Sequence, residues 1–182
     1  MRLTLATCSL LLLHIACGGA SGEQQATAQT TMPAPAPADT TPAAGSPEVG
    51  SPEWVRAKIR TFREDPSVLT GAPIVAFAEK SPDVAIVIRS SLSEFEGLDE
   101  ERTLILLAAF TAGNVEAQLD AGTVKDMPVA GVRMMLTVYA KLEGAAEDLT
   151  ISKLDAFQSA EQEGRLDAAV YEAIADEAAD TR

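Results

Sequence analysis

Histidine occurs once in this 182-residue chain, cysteine twice, and aromatic residues make up 4%, with one Trp and two Tyr. Cations are also scarce: 14 Lys and Arg stand against 27 Asp and Glu, a formal net charge of −13. Each shortage closes off a class of function. So few scattered cations cannot neutralise a phosphate backbone, and direct nucleic-acid binding is not expected. Two cysteines cannot build a disulfide scaffold. No G-x-x-x-x-G-K-[ST], G-x-G-x-x-G or D-x-[DN]-x-[DN]-G pattern occurs, so nucleotide and EF-hand calcium sites lack support. Neither S-x-x-K nor G-x-S-x-G is present to supply a serine nucleophile that works without histidine.

The first 20 residues, MRLTLATCSLLLLHIACGGA, carry one charge, Arg2. An apolar stretch from Leu3 to Ile15 follows, then small residues, which is the layout of a bacterial secretory signal. The stretch is shorter than the roughly 18 apolar residues a membrane-spanning helix needs. Ile15-Ala16-Cys17-Gly18 resembles the lipobox of bacterial lipoprotein precursors. His14 departs from that pattern, standing where Leu is usual, and the positive segment is minimal. The resemblance implies a signal peptide over 1–16, removal before Cys17, and lipidation of Cys17. Gly18 in the next position, rather than Asp, implies the outer membrane in a host that has one. The alternative is ordinary cleavage near Ala20 and a soluble secreted or periplasmic product. Either cut removes His14 and Cys8, leaving no histidine. A Ser-His-Asp triad, a Cys-His pair and a His-ligated zinc site are then excluded.

Residues 17–50 are almost entirely Gly, Ala, Ser, Thr, Pro and Gln. They offer too little apolar bulk to offset chain entropy, so a disordered tether is expected, locally extended at Pro33–Pro37. Its r.m.s. reach is about 30 Å. The folded region is expected over 51–179, with a frayed tail at 180–182. It is long enough for one independent core.

Within that region the pattern is helical, and an all-α fold of five to seven short helices is predicted. An irregular bundle or a helical-repeat-like stack would suit it. Ser51-Pro52-Glu53 opens a helix over about 52–64, with Val55, Ile59 and Phe62 on one face. A second is expected over about 72–80, its start limited by Gly71 and Pro73. For 83–95 two readings compete. Val84, Ile88, Leu92 and Phe95 have helical spacing, yet Val84-Ala85-Ile86-Val87-Ile88 is a β-branched run suited to a strand. No second strand candidate exists, which favours helix. Asp99 caps a helix that is apolar all round at Leu104–Phe110 and should lie centrally, with Gly113-Asn114 expected to interrupt it. Asp126 is expected to cap the next helix and Ser152 to start the one after, ending at Gly164, while the last carries Leu166, Val170 and Ile174. Leu106–Leu119 faintly resembles a tetratricopeptide helix, but the family's full pattern and period are missing.

No catalytic, cofactor-binding or metal-ligating residue is nominated, and no enzyme activity or cofactor is expected. Residues 143–182 hold 11 acidic side chains against Lys153, Arg165 and Arg182, which a solvated helix face accounts for. Trp54 is expected to close the core rather than to anchor a partner, and Met134-Met135 to be centrally buried, with a groove or dimer face for a partner as the alternative. Arg133 and Lys141 have no assigned role. The leading expectation is a membrane-tethered, non-catalytic domain acting through an envelope protein partner. A binder of a small apolar or lipid-like ligand, and a carboxylate-dependent envelope hydrolase, are the alternatives.

Overall fold

Ser51 starts the first helix by accepting a hydrogen bond from the Trp54 N–H, with Pro52 at the first helical position, where its missing N–H costs nothing. This is α1, Pro52–Glu64, in a computed structural model that describes residues 47–145 and 149–180. Six further helices follow: α2 Val68–Lys80, α3 Ser90–Ser93, α4 Glu100–Ala121, α5 Pro128–Ala145, α6 Ser152–Gln162 and α7 Leu166–Asp180. There is no strand among the described residues, and the fold is an all-α bundle.

The core explains the order. Val55, Ile59 and Phe62 on α1 are fully buried at the spacing of one helix face. Each contributes about 1.5–3 kcal/mol relative to exposure. They meet Ile74 and Phe77 of α2 and the long central helix α4, whose buried run extends from Ile105 to Val115, broken only by half-buried Leu107. α5 covers the other side of α4 with Val132, Met135, Val138 and Tyr139. α6 and α7 pair with each other and close over α5 through Leu154, Phe157, Leu166 and Val170. Met134 and Met135 are both buried, as the apolar arc of α5 requires.

The structure departs from the sequence pattern in four places. α2 begins at Val68 rather than near 72. Ser67 and Thr70 form a reciprocal capping box, which starts the helix upstream of the two residues that seemed to limit it. Pro73 is accommodated within the helix, and the carbonyl it leaves without a donor belongs to Leu69, an exposed residue.

The second departure is α4, which runs unbroken through Gly113 and Asn114. At Gly113 the α5 backbone is so close that an added Cβ would stand 2.3 Å from the Ala130 carbonyl oxygen. The glycine admits a neighbouring helix instead of ending its own.

Third, Asp126 is not a helix cap. The first turn of α5 hangs from the Met127 carbonyl, which accepts from the N–H groups of Ala130 and Gly131. Asp126 faces the other way, towards Asn114 and Arg89.

Fourth, residues 84–89 are neither helix nor part of a sheet; only Ser90–Ser93 form a short helix, α3. A side chain takes the place of a partner strand. The Gln118 amide receives the Ala85 N–H on Oε1 at 2.9 Å and donates from Nε2 to the Ala85 carbonyl at 2.9 Å. Two residues later, the Val87 N–H points to Asp126 Oδ1 at 3.4 Å. Backbone groups pointing the same way every second residue are the mark of an extended chain.

α7 extends to Asp180, while residues 181 and 182 lie outside the described residues, as do 1–46. The expected signal peptide, the lipidation of Cys17 and nearly all of the 17–50 tether therefore fall on residues outside the description.

Candidate functional site

Chemistry in this domain would have to come from hydroxyls, amides, carboxylates and cations. Where these gather, the structure gives each of them a partner within the fold. Asn114, completely buried in mid-α4, donates to Asp126 Oδ1 at 2.7 Å and accepts from Gln118 Nε2 at 2.6 Å and from the Met127 N–H at 3.0 Å. Gln118, one turn on, also accepts from the Lys125 N–H at 3.1 Å. Arg89 closes the chain on Asp126 Oδ2 at 2.8 Å. The network ties the extended segment and the α4–α5 loop to α4. No buried side-chain polar atom among the described residues lacks a partner. A fully satisfied network of this kind fixes geometry rather than offering a reactive group.

A second cluster lies between α3 and α7. The Glu177 carboxylate accepts from the hydroxyls of Ser90 at 2.5 Å and Ser91 at 2.6 Å, and from both their N–H groups. These donors hold the carboxyl far below its ordinary range, at about 2. Its folded pKa is depressed, so the stability it adds is complete above the unfolded value near 4.5 and is lost as pH falls towards 2. Glu177→Gln should lower the melting temperature at pH 7, and the gap to wild type should narrow as the pH drops through that window. Paired thermal melts at successive pH values would show it; a gap that stays constant would mean the carboxylate charge is not what holds α7.

Tyr139 is pushed the other way. Burial first, and then the nearby Asp155 carboxylate, raise its hydroxyl to about 12. That hydroxyl accepts from the Ile151 N–H at 2.9 Å and donates to Asp155 Oδ1 at 2.9 Å, joining α5 to the start of α6. Both large shifts hold a group in its usual charge state at neutral pH. Acid–base catalysis requires the opposite, a group brought towards the operating pH. Among the described residues, no three His, Cys, Asp or Glu side chains are grouped to hold a metal ion.

The residues without a role in the sequence acquire structural ones. Arg133 pairs with Glu161 at 2.8 Å and reaches Asp167 at 3.6 Å, linking α5 to α6 and α7. The hydrogen bond to Glu161 is the main reason its pKa is raised. Lys141 donates to the carbonyls of Arg63 and Glu64 at 2.6 and 3.0 Å, satisfying the end of α1. Asp155, Glu161 and Glu177 thus have specific duties inside what reads, from composition, as a solvated acidic face.

Among the described residues, an apolar concavity lies at Trp54. The indole is half-buried: it packs on the core and also lines a cleft with Val49, Pro73, Phe77, Lys80 and Pro82. The cleft measures about 330 Å³, the low end for small-molecule sites. Aromatic and proline rings line it together with Lys80 and Asp83, and Lys58 stands 5.5 Å from the centre of the indole. Trp54 therefore serves the core and the surface together. Other hollows are more polar, and the one between α4 and α5 is bordered by Arg63 and Glu116, which pair with each other at 2.5 Å.

No protein-family model, no curated protein and no solved structure matches this chain.

Proposed function

We propose that this chain is a lipid-anchored protein of the bacterial envelope whose helical domain acts by binding another protein, with the Trp54 cleft as the contact. The observation that carries the reading is the cleft itself. It is open and mainly apolar, has Trp54 in its wall, and is lined by Val49 and Gly50, which close the expected tether. A partly buried Trp in a pocket with a polar rim is the composition of an interface anchor. The resemblance of Ile15–Gly18 to a lipobox supports the anchoring at Cys17. No helix among the described residues is long and apolar enough to cross a membrane, so attachment would depend on acyl chains.

Cross-linking in the native host tests this. The full chain should capture a reproducible partner, Trp54→Ala should lose most of it, and Cys17→Ala should move the protein to the soluble fraction. A partner retained by Trp54→Ala would place the contact elsewhere. Membrane attachment unaffected by Cys17→Ala would remove the anchor.

The apolar lining also suits a small apolar or lipid-like ligand. A thermal shift with lipid extract that disappears in Trp54→Ala, without any protein partner, would favour that second reading.

A further inference from the structure

α3 is a single turn, Ser90–Ser93, too short to persist on its own. Arg89, at its N-cap position, gives it no side-chain hydrogen bond. Both of its ends are completed instead by the last two helices. The Glu177 carboxylate of α7 takes the N–H groups and the hydroxyls of Ser90 and Ser91. The Lys153 ammonium of α6 donates to the carbonyls of Ser90 at 3.3 Å and Glu94 at 2.7 Å. An anion on the first N–H groups and a cation on the carbonyls supply what a helix without caps of its own lacks. α7 leans on the same contact. Its buried residues, Leu166 and Val170, lie in its first half, and Ile174 is half-buried. From Ala175 to Asp180 every residue except Glu177 is exposed, and only Glu177 bonds to another element. A hollow of about 750 Å³ runs along this seam, lined by Ser90, Ser91, Glu94, Lys153, Asp176 and Asp180 among others. The lining is mainly polar, so parting α3 from the end of α7 gives up little apolar contact, which is the condition for local opening.

We propose that α3 and the end of α7, from Ala175 onward, form one two-state latch. Closed, Glu177 holds α3 as a helix and α3 holds the end of α7. Open, the carboxylate leaves, α3 loses its turn and residues 175–180 are released, while α1, α2, α4 and α5 stay packed. The two parts open together because α3 has no cap of its own and the neighbours of Glu177 on α7 are exposed. The latch ends at Arg89, because Asp126 holds that side chain and Gln118 holds Ala85 just upstream. A protein that bound the released end of α7, or the unwound Ser90–Ser93, would shift the equilibrium to the open form. The latch involves neither the Trp54 cleft nor Cys17, and stands or falls separately from them.

Native-state hydrogen exchange of the full chain tests it. The Leu92 and Glu94 N–H groups close the turn of α3 on the carbonyls of Arg89 and Ser90, both at 3.0 Å. They should share one opening with the N–H groups of residues 178–180, and exchange faster than Phe110 and Val115 in α4. Glu177→Gln should accelerate both sets by the same factor, about tenfold or more, because hydrogen bonds to a charged group are the strong ones. Ser90→Ala combined with Ser91→Ala separates the latch from a helix that stands by itself. Alanine is the better helix former, so a self-sufficient α3 would exchange more slowly in that variant. A latched α3 should exchange faster, and residues 178–180 with it. Slower or unchanged exchange at Glu94, different factors for the two sets, or α3 amides as protected as Phe110 would each overturn the proposal. So would wild-type residues 178–180 with no protection, since the end of α7 would then not be held. If the double serine variant does not fold, Lys153→Met removes the cation on the α3 carbonyls and serves in its place: both sets should again accelerate together, and a change confined to one of them overturns the latch.

Discussion

Gly113→Ala should destabilise the domain by about 2 kcal/mol, although it replaces glycine with the best helix former in mid-helix. Two effects oppose each other. Helix propensity favours Ala over Gly by about 1 kcal/mol. Against it, the new Cβ would stand 2.3 Å from the Ala130 carbonyl oxygen, 2.9 Å from its carbon and 2.7 Å from Met134 Cβ. Two of those three atoms are backbone, so no rotamer change relieves the clash and α4 and α5 must move apart. Overpacking of this kind costs about 1–3 kcal/mol and sometimes more, and at a contact this short the upper end applies. The neighbouring contact runs in the other direction: a Cβ on Gly131 would meet the Phe110 ring at 2.6 Å. Gly144 is the control. It lies in α5 with nothing within 4 Å of a built Cβ, so Gly144→Ala should gain up to about 1 kcal/mol. Urea unfolding of the two variants should shift the midpoint in opposite directions. A stabilised Gly113→Ala would mean that the two helices do not approach as closely as described.

Asn114→Leu is expected to cost about 2–4 kcal/mol, although Leu suits a helix and the site is wholly buried. The gain from an apolar side chain is outweighed by what it strands. The Met127 N–H loses its acceptor, Gln118 Nε2 loses one of its two and keeps the Ala85 carbonyl, and Asp126 loses the donor at 2.7 Å that faces its charge. Each buried polar group left without a partner costs about 1–3 kcal/mol, and more where charge is involved. Loss should also spread to the segment that Gln118 and Asp126 hold. Hydrogen exchange at the Ala85 amide, bonded to Gln118 Oε1, should therefore accelerate together with the fall in the unfolding midpoint. A variant as stable as wild type, with Ala85 still protected, would show that the network is dispensable.

These expectations rest on residues whose importance was unequally visible in the chain. Asn114 and Gln118 stand one helical turn apart inside an apolar run, and polar residues so placed are a readable sign that something must satisfy them. What satisfies them was not readable, because Ala85 stands 33 residues before Gln118 and Asp126 is brought back only by the turn between α4 and α5. Trp54 was legible as a significant residue at a helix start. Its cleft was not, since the walls come from the end of α2 and the turn at Pro82, and only packing of α1 on α2 brings them beside the indole. Glu177 was hidden among acidic neighbours of the same composition, and its distinction is the pair of serines 86 and 87 residues away.

Local chemistry in the sequence by itself determined the all-α class, the extent of α1 from its Ser-Pro-Glu start, the central place of α4, and the burial of Met134 and Met135. Caps and periodicity act over three or four residues, so a single stretch of chain contains all the information they need. Tertiary structure decided the rest. It turned Gly113 from a break into a point of contact, redirected Asp126 from a cap to a network, and kept Val84–Ile88 extended with an amide in place of a strand. In each case the deciding partner lies on another element. A glycine, a carboxylate or a β-branched run has several acceptable conformations on its own, and the one adopted is the one whose space and hydrogen bonds the neighbouring helix completes.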